Sequence, residues 1–335
     1  MDRRAFLSAA AASSVVSASA QLARAQTPMR FGEAARYSAD NDGASLLVAR
    51  YGVVLAENYP AGPGASSWPI GAGTRAFAPL LAASLVKDEL LTLDEFASMT
   101  LGEWGLHPIK STISIRTILN GTSGIAFAPG GPRDLATALA IEPVNPPGVS
   151  FSDDAAAYLI ITEIARRKLA AQGGNPDPAQ YLQLRTLMPI GCNPVNWQRS
   201  GDGSPRFDDG ASVSARGWAQ AGELIRRAGI WRAQQLADDN ALREAVRGSV
   251  AESRAGFGLW LAVPSRAPDP AGLNSDLWRA QSPAPIDLAM AAGAGGQRLY
   301  IAPMEGLVIV RQARSLNPAP NWSDAQLLSL LWRDL

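Results

Sequence analysis

Residues 44–57 read ASLLVARYGVVLAE, two apolar runs parted only by Arg50-Tyr51-Gly52. Runs of Val, Leu and Ala broken by a glycine turn read as the two strands of a tight hairpin. A matching pair stands near the other end of the 335-residue chain. There Gln297-Arg298-Leu299-Tyr300-Ile301 and Leu307-Val308-Ile309-Val310 bracket Pro303-Met304-Glu305-Gly306. The two hairpins can pair in one antiparallel sheet. Between them the apolar spacing turns helical, as in Phe77, Leu80, Leu81 and Leu85, or Trp218, Ala221, Leu224 and Ile225. Loops rich in Gly, Pro, Asn and Asp interrupt this region at 128–134, 143–148, 173–178, 191–210 and 264–275. Ser323 is placed to cap a last helix carrying Leu327, Leu328, Leu330, Leu331 and Trp332. Strands first, helices in the middle and strands last predict an α/β (α+β) fold. Both chain ends form its antiparallel sheet, from about 44–60 and 256–311, with flanking helices and a mainly helical lobe inserted over about 72–250. Residues 26–335 are expected to fold as one domain, with any site in the groove between sheet and lobe.

Thirty basic and thirty acidic residues cancel, which leaves no electrostatic footprint for nucleic acid or an anionic membrane. One Cys, Cys192, and one His, His107, exclude internal disulfides, zinc sites built on these residues and a histidine-based triad. Catalysis, if any, must use Ser, Thr, Tyr, Lys or carboxylates, and neither cofactor nor metal is expected. At the N-terminus, Arg3-Arg4 precede a short Ala-rich apolar stretch and then Ala23-Arg24-Ala25. Twin arginines, a short hydrophobic region and a small-x-small site predict a twin-arginine export signal over residues 1–25. Its removal would release a periplasmic protein with no stable membrane anchor.

Several stretches then follow in a telling order. Leu91-Thr92-Leu93-Asp94-Glu95, Ile113-Ser114-Ile115-Arg116-Thr117-Ile118-Leu119 with Thr122-Ser123-Gly124, Ser214-Ala215-Arg216-Gly217-Trp218 and Phe257-Gly258-Leu259-Trp260 are spaced over most of the mature chain. In that order they resemble the serine beta-lactamase and DD-peptidase superfamily, in particular its class C-like branch of esterases and nylon-oligomer hydrolases. The resemblance implies a beta-lactamase/transpeptidase-like fold and three catalytic motifs, and each motif is degenerate here. The family's Ser-x-x-Lys places nucleophile and base on one helical face, three residues apart. The matching residues are Ala72-Gly73-Thr74-Arg75. Ala72 has no oxygen and Arg75 holds its proton at any physiological pH, so both roles are empty. The family's Tyr-x-Asn, or Ser-Asp-Asn, falls within Pro147-Gly148-Val149-Ser150-Phe151-Ser152-Asp153-Asp154-Ala155. Counting from Pro147-Gly148 puts Asp153 at the Tyr and Ala155 at the Asn, whereas aligning on Ser-Asp-Asn keeps Ser152 and changes the last residue to Asp154. Ser152 or Asp153 as a plain helix cap is the competing structural reading. The third motif, Lys-Thr-Gly or His-x-Gly, corresponds to Ala291-Ala292-Gly293-Ala294-Gly295-Gly296-Gln297, where glycines remain and the cation is gone.

A literal Ser-x-x-Lys does occur at Ser84-Leu85-Val86-Lys87, but far from a helix N-terminus, where an anion would be favoured. Two functions remain open on this reading. One is an exported pseudoenzyme that binds a peptidoglycan-like or amide ligand through Ser152, Asp154, Gly293, Gly296 and Gln297. The other is an active serine hydrolase with its hydroxyl relocated to Ser152, or to Ser84 beside Lys87. If only reactive atoms were lost, Ala72→Ser with Arg75→Lys would bring back some ester hydrolysis.

Overall fold

The computed structural model describes residues 30–193, 195–265, 273, 275–279 and 282–335. The export signal expected at residues 1–25 and most of the loop at 264–275 lie outside them. The strands are β1 (Gly43–Arg50), β2 (Val53–Asn58), β3 (Ser67–Pro69), β4 (Asn196–Trp197), β5 (Ala211–Ser214), β6 (Ile230–Trp231), β7 (Gln234–Gln235), β8 (Trp260–Leu261), β9 (Ala289–Gly293), β10 (Gln297–Ala302) and β11 (Leu307–Ala313). The helices are α1 (Gly32–Asp40), α2 (Phe77–Lys87), α3 (Ile115–Leu119), α4 (Leu135–Ala140), α5 (Ala155–Ala171), α6 (Pro178–Leu182), α7 (Ala215–Arg226), α8 (Asp239–Ala245) and α9 (Asp324–Trp332).

Six strands form the main sheet in the order β2-β1-β11-β10-β9-β8, so the N-terminal hairpin is joined to the C-terminal strands as the sequence predicts. The neighbours are antiparallel, with Leu47 opposite Val310 and Val48 opposite Ile309. Tyr51 and Gly52 both take positive φ, 51° and 78°, the backbone that a two-residue hairpin turn requires. Alternate residues face different cores. Leu47, Leu299, Ile301, Val308 and Val310 pack into the helical lobe. Leu46, Val48, Tyr300 and Ile309 pack with Leu327, Leu328 and Leu331 of α9 and Ala34 of α1. Burial on both faces explains why these strands read as continuous apolar runs without alternation.

α7 lies against β10 and β11 so closely that a Cβ on Gly222 would come within 2.7 Å of a Leu299 methyl. On the other face, Ser323 caps α9 by accepting from the Gln326 amide, as its sequence position implied. A fully buried Asp324 ties this helix to the sheet. It accepts from Arg298 Nε at 2.8 Å, from the Tyr300 hydroxyl at 2.5 Å and from Trp322 Nε1 at 3.1 Å. Burial pushes the Asp324 carboxyl up, but the Arg298 charge and the hydrogen bonds outweigh it and hold the group below its usual range.

The lobe is less purely helical than its spacing suggests. β3, β5 and β4 make a second, three-stranded sheet, and β6 pairs with β7. The small sheet matters for the site, because the chain passes from β3 directly into a 3-10 segment, Gly71–Ala76, before α2 begins.

Candidate functional site

Ala72 and Arg75 lie in that 3-10 segment, where the expected α-helix has not yet started. Two glycines account for the difference: Gly71 takes φ 51°, and Gly73 packs where a Cβ would fall 2.8 Å from the Trp218 ring. With three residues per turn, positions 72 and 75 still share a face. Thr74 points away from it, as expected. Its hydroxyl is fully buried, donating to Gly71 O and accepting from the Ala211 amide of β5. The segment is thereby pinned between the small sheet and β9.

Ala72 and Arg75 open onto a cleft closed by Asn120, Gly121, Phe151, Ser152, Asp153 and Tyr158 on the lobe side, and by Gly258, Trp260 and Ala292 on the sheet side. Arg75 Nη1 donates to Asp153 Oδ1 at 2.5 Å, and its guanidinium lies over the Tyr158 ring, 4.9 Å from the centroid. Burial alone would weaken this cation, but Asp153, Tyr158 and the more distant Asp208 outweigh it and hold the proton more firmly than usual. Arg75 is therefore a fixed positive charge and no base. Only about 20 Å³ of the cleft is open, room for one water molecule. The Phe151 and Trp278 rings pack edge-on against Trp260 and back this wall. Gly258, with φ 67°, brings its backbone against Arg75, where a Cβ would stand 2.5 Å from the Arg75 carbonyl oxygen.

For the second motif, Asp153 is the residue that faces Arg75, a placement both registers share. Asp154 is the N-cap of α5: its Oδ1 accepts from the Ala156 amide at 2.8 Å and from the Phe127 amide at 3.2 Å. Ala155 turns to the other side of α5. Ser152 lines the cleft and its backbone is held by Gly121. At the third motif only Ala292 reaches the cleft. Gly293 and Gly296 border a different hollow beside Trp322. Gln297 is fully buried, its amide bonded to both backbone groups of Ala313, so the structure does not bring it together with Ser152 and Asp154.

Ser84 and Lys87 do not meet either. α2 starts at Phe77, so Ser84 is two turns inside it, fully buried and bonded to Leu80 O and Thr186 Oγ1, while Lys87 is exposed at the helix end. Trp260 belongs to the cleft, and Trp197 stacks on Phe207. His107 accepts the Ile109 and Lys110 amides at Nδ1, which leaves Nε2 to donate to Glu142. Cys192 is fully buried, and burial pushes its thiol up, away from reactivity.

Sequence reasoning missed Asn120, Tyr158 and Asp208. Tyr158 had a signal available: one turn after the Asp154 cap, it falls on the α5 face that looks back at Arg75. Among the described residues no group of three or more His, Cys, Asp or Glu could hold a metal, and no helix is long and apolar enough to cross a membrane.

No protein-family model matches the sequence, and no curated protein matches it. Solved structures do. A family VIII carboxylesterase superposes with a TM-score of 0.70 at 14% identity, covering 91% of this chain and 97% of that one. A penicillin-binding protein homologue from Caulobacter crescentus gives 0.67 at 16% identity, over 92% and 98% of the two chains. A beta-lactamase from Mycobacterium bovis gives 0.60 at 17% identity, over 89% and 97%. The six-stranded sheet built from both chain ends, with its helical lobe, is thus the fold shared by these beta-lactamase, penicillin-binding-protein-like and carboxylesterase structures.

Proposed function

We propose that this chain is a non-hydrolytic protein on a serine-hydrolase scaffold, exported to the periplasm by the twin-arginine route. One observation carries the reading: close to the methyl group of Ala72, Arg75 is ion-paired with Asp153, at positions where the resemblance implies the nucleophile's base and its proton relay. Arg75 and Asp153, 78 residues apart, are each other's partner, which makes the groove a bonded structural element. A covalent acyl intermediate needs a hydroxyl, a base and space for the acyl group. Ser152 offers a hydroxyl, but the carboxylate next to it is committed to Arg75, and the open volume admits only water. A peptidoglycan-like or amide ligand would have to be held outside this cleft.

The test is covalent labelling. The purified chain is incubated with a fluorescent penicillin and with a fluorophosphonate, and its intact mass is measured. The expected result is an unmodified mass with both reagents; a stoichiometric adduct at Ser152, Ser84 or elsewhere would overturn the reading and name the nucleophile. Cell fractionation tests export. The mature protein should lack residues 1–25 and appear in the periplasmic fraction, and Arg3→Lys with Arg4→Lys should retain it inside.

A further inference from the structure

Four large apolar side chains stand in solvent at one end of the main sheet. Tyr51 and Val53, at the turn from β1 to β2, are 63% and 64% exposed. Met304, on the turn from β10 to β11, is 75% exposed, and Ile286, in the stretch leading into β9, is 79% exposed. The fold gathers these three connections. The Tyr51 amide donates to Gly306 O at 2.7 Å, and its ring lies so close over Gly306 that a Cβ there would come within 2.2 Å of it. The Met304 amide donates to Asp287 Oδ2 at 2.6 Å, which ties the second turn to the residue after Ile286. The four side chains therefore share one surface. Scattered exposed apolar residues need no explanation, but a set gathered on neighbouring turn tips marks a contact surface.

Charge and shape narrow the partner. The guanidiniums of Arg50 and Arg226 flank the Tyr51 ring, each 5.6 Å from its centroid. Arg50 is paired with Glu305 and Arg226 with Glu223, and Asp287 adds a further carboxylate. Two cations against three carboxylates offer nothing to an anionic surface. The apolar groups project from turns, and none of them lines the cleft at Ala72 or the hollow beside Trp322. Projecting tips without a socket suit a partner that deforms around them. A phenol ring between two guanidiniums also has the amphipathic make-up of side chains that rest where acyl chains meet headgroups.

We infer that this end of the sheet is a reversible docking surface for a lipid bilayer with zwitterionic headgroups, into which Tyr51, Val53, Ile286 and Met304 insert as tips. The inference is independent of whether the cleft at Ala72 hydrolyses anything, because none of these residues lines that cleft.

Site-specific fluorescence tests it. Cys192 is the chain's one thiol and is fully buried, so a cysteine substituted at the surface can be labelled by itself. Met304→Cys and Ile286→Cys carry a polarity-sensitive dye, with Leu106→Cys, a fully exposed position in the lobe, as the control. On addition of phosphatidylcholine vesicles the dye at 304 and at 286 should shift to the blue, while the dye at 106 should not respond. The shift should persist in about 0.5 M salt and gain nothing from phosphatidylglycerol. Adding Tyr51→Ser and Val53→Ser to Met304→Cys should weaken partitioning at least about tenfold, with circular dichroism confirming the fold. The comparison of 304 with 106 needs no such variant. No response at 304 and 286, an equal response at 106, a response only with phosphatidylglycerol, or unchanged partitioning after the folded Tyr51→Ser, Val53→Ser change would each overturn the inference. A blue shift at 304 that grows with protein concentration in the absence of lipid would also overturn it, and would assign this face to a second copy of the chain.

Discussion

Asp153→Ala should destabilise the protein far more than an ordinary surface truncation. Its partner Arg75 has a side chain only 16% exposed, and Asp153 is the one carboxylate within 4 Å of it among the described residues. Removing one member of a fully buried pair costs about 3–5 kcal/mol, because the other charge is left unpaired. Asp153 itself is 30% exposed, so water can enter where the carboxylate stood, and the cost should fall to about 2 kcal/mol. For a chain of this length that is a drop in Tm of roughly 3 °C. Arg75→Leu should cost less, about 1 kcal/mol, since an orphaned Asp153 can turn towards solvent. The double variant Arg75→Leu with Asp153→Leu should lie near the parent, because replacing both members of a buried pair is close to neutral. Urea denaturation of the four proteins at pH 7 gives the coupling energy as a double-mutant cycle. A midpoint for Asp153→Ala within error of the parent, or strictly additive single substitutions, would refute the claim that this pair holds the cleft shut.

Further outcomes follow from the same geometry. Ala72→Ser with Arg75→Lys should fold yet stay unlabelled by a fluorophosphonate, because a lysine there remains salt-bridged to Asp153 and the space stays water-sized; ester turnover by this variant would show that only the reactive atoms were lost. Ser84→Ala should lower stability by about 1–2 kcal/mol in urea, by leaving the buried Thr186 hydroxyl without its partner, and should change no chemistry. Asp324 has a folded pKa below its unfolded value, so its contribution is fully present above about pH 4 and is lost as pH falls through the folded value. Asp324→Asn should therefore be less stable at pH 7, with the gap to the parent narrowing in thermal melts taken below pH 4.

The hairpins were legible because their information is local: apolar runs, a glycine turn and matched lengths lie within a few residues of one another. α1 was not. Its sequence, GEAARYSAD, carries only small buried residues, Ala34, Ala35 and Ser38, and the helix packs both on β1 and on α9, nearly 300 residues away. The empty positions 72 and 75 could be found by resemblance, but what fills the space between them could not. Asp153 stood in a register that the sequence left open, and only the fold brings it to Arg75. Gln297 illustrates the reverse error. Beside two glycines in a family motif it looked like a groove residue, yet at the start of β10 its side chain is buried and consumed by the Ala313 backbone at the end of β11.

The pairing of Leu47 with Val310 has a consequence for biogenesis. During synthesis the first hairpin emerges early and waits for a strand made some 260 residues later, roughly ten seconds to a minute at ordinary elongation rates. Through that interval β1 presents an unpaired edge and two greasy faces, the circumstances under which nascent chains aggregate. A holdase that shields the emerging N-terminal half until the ribosome releases the C-terminus would thus act on the step most exposed to failure.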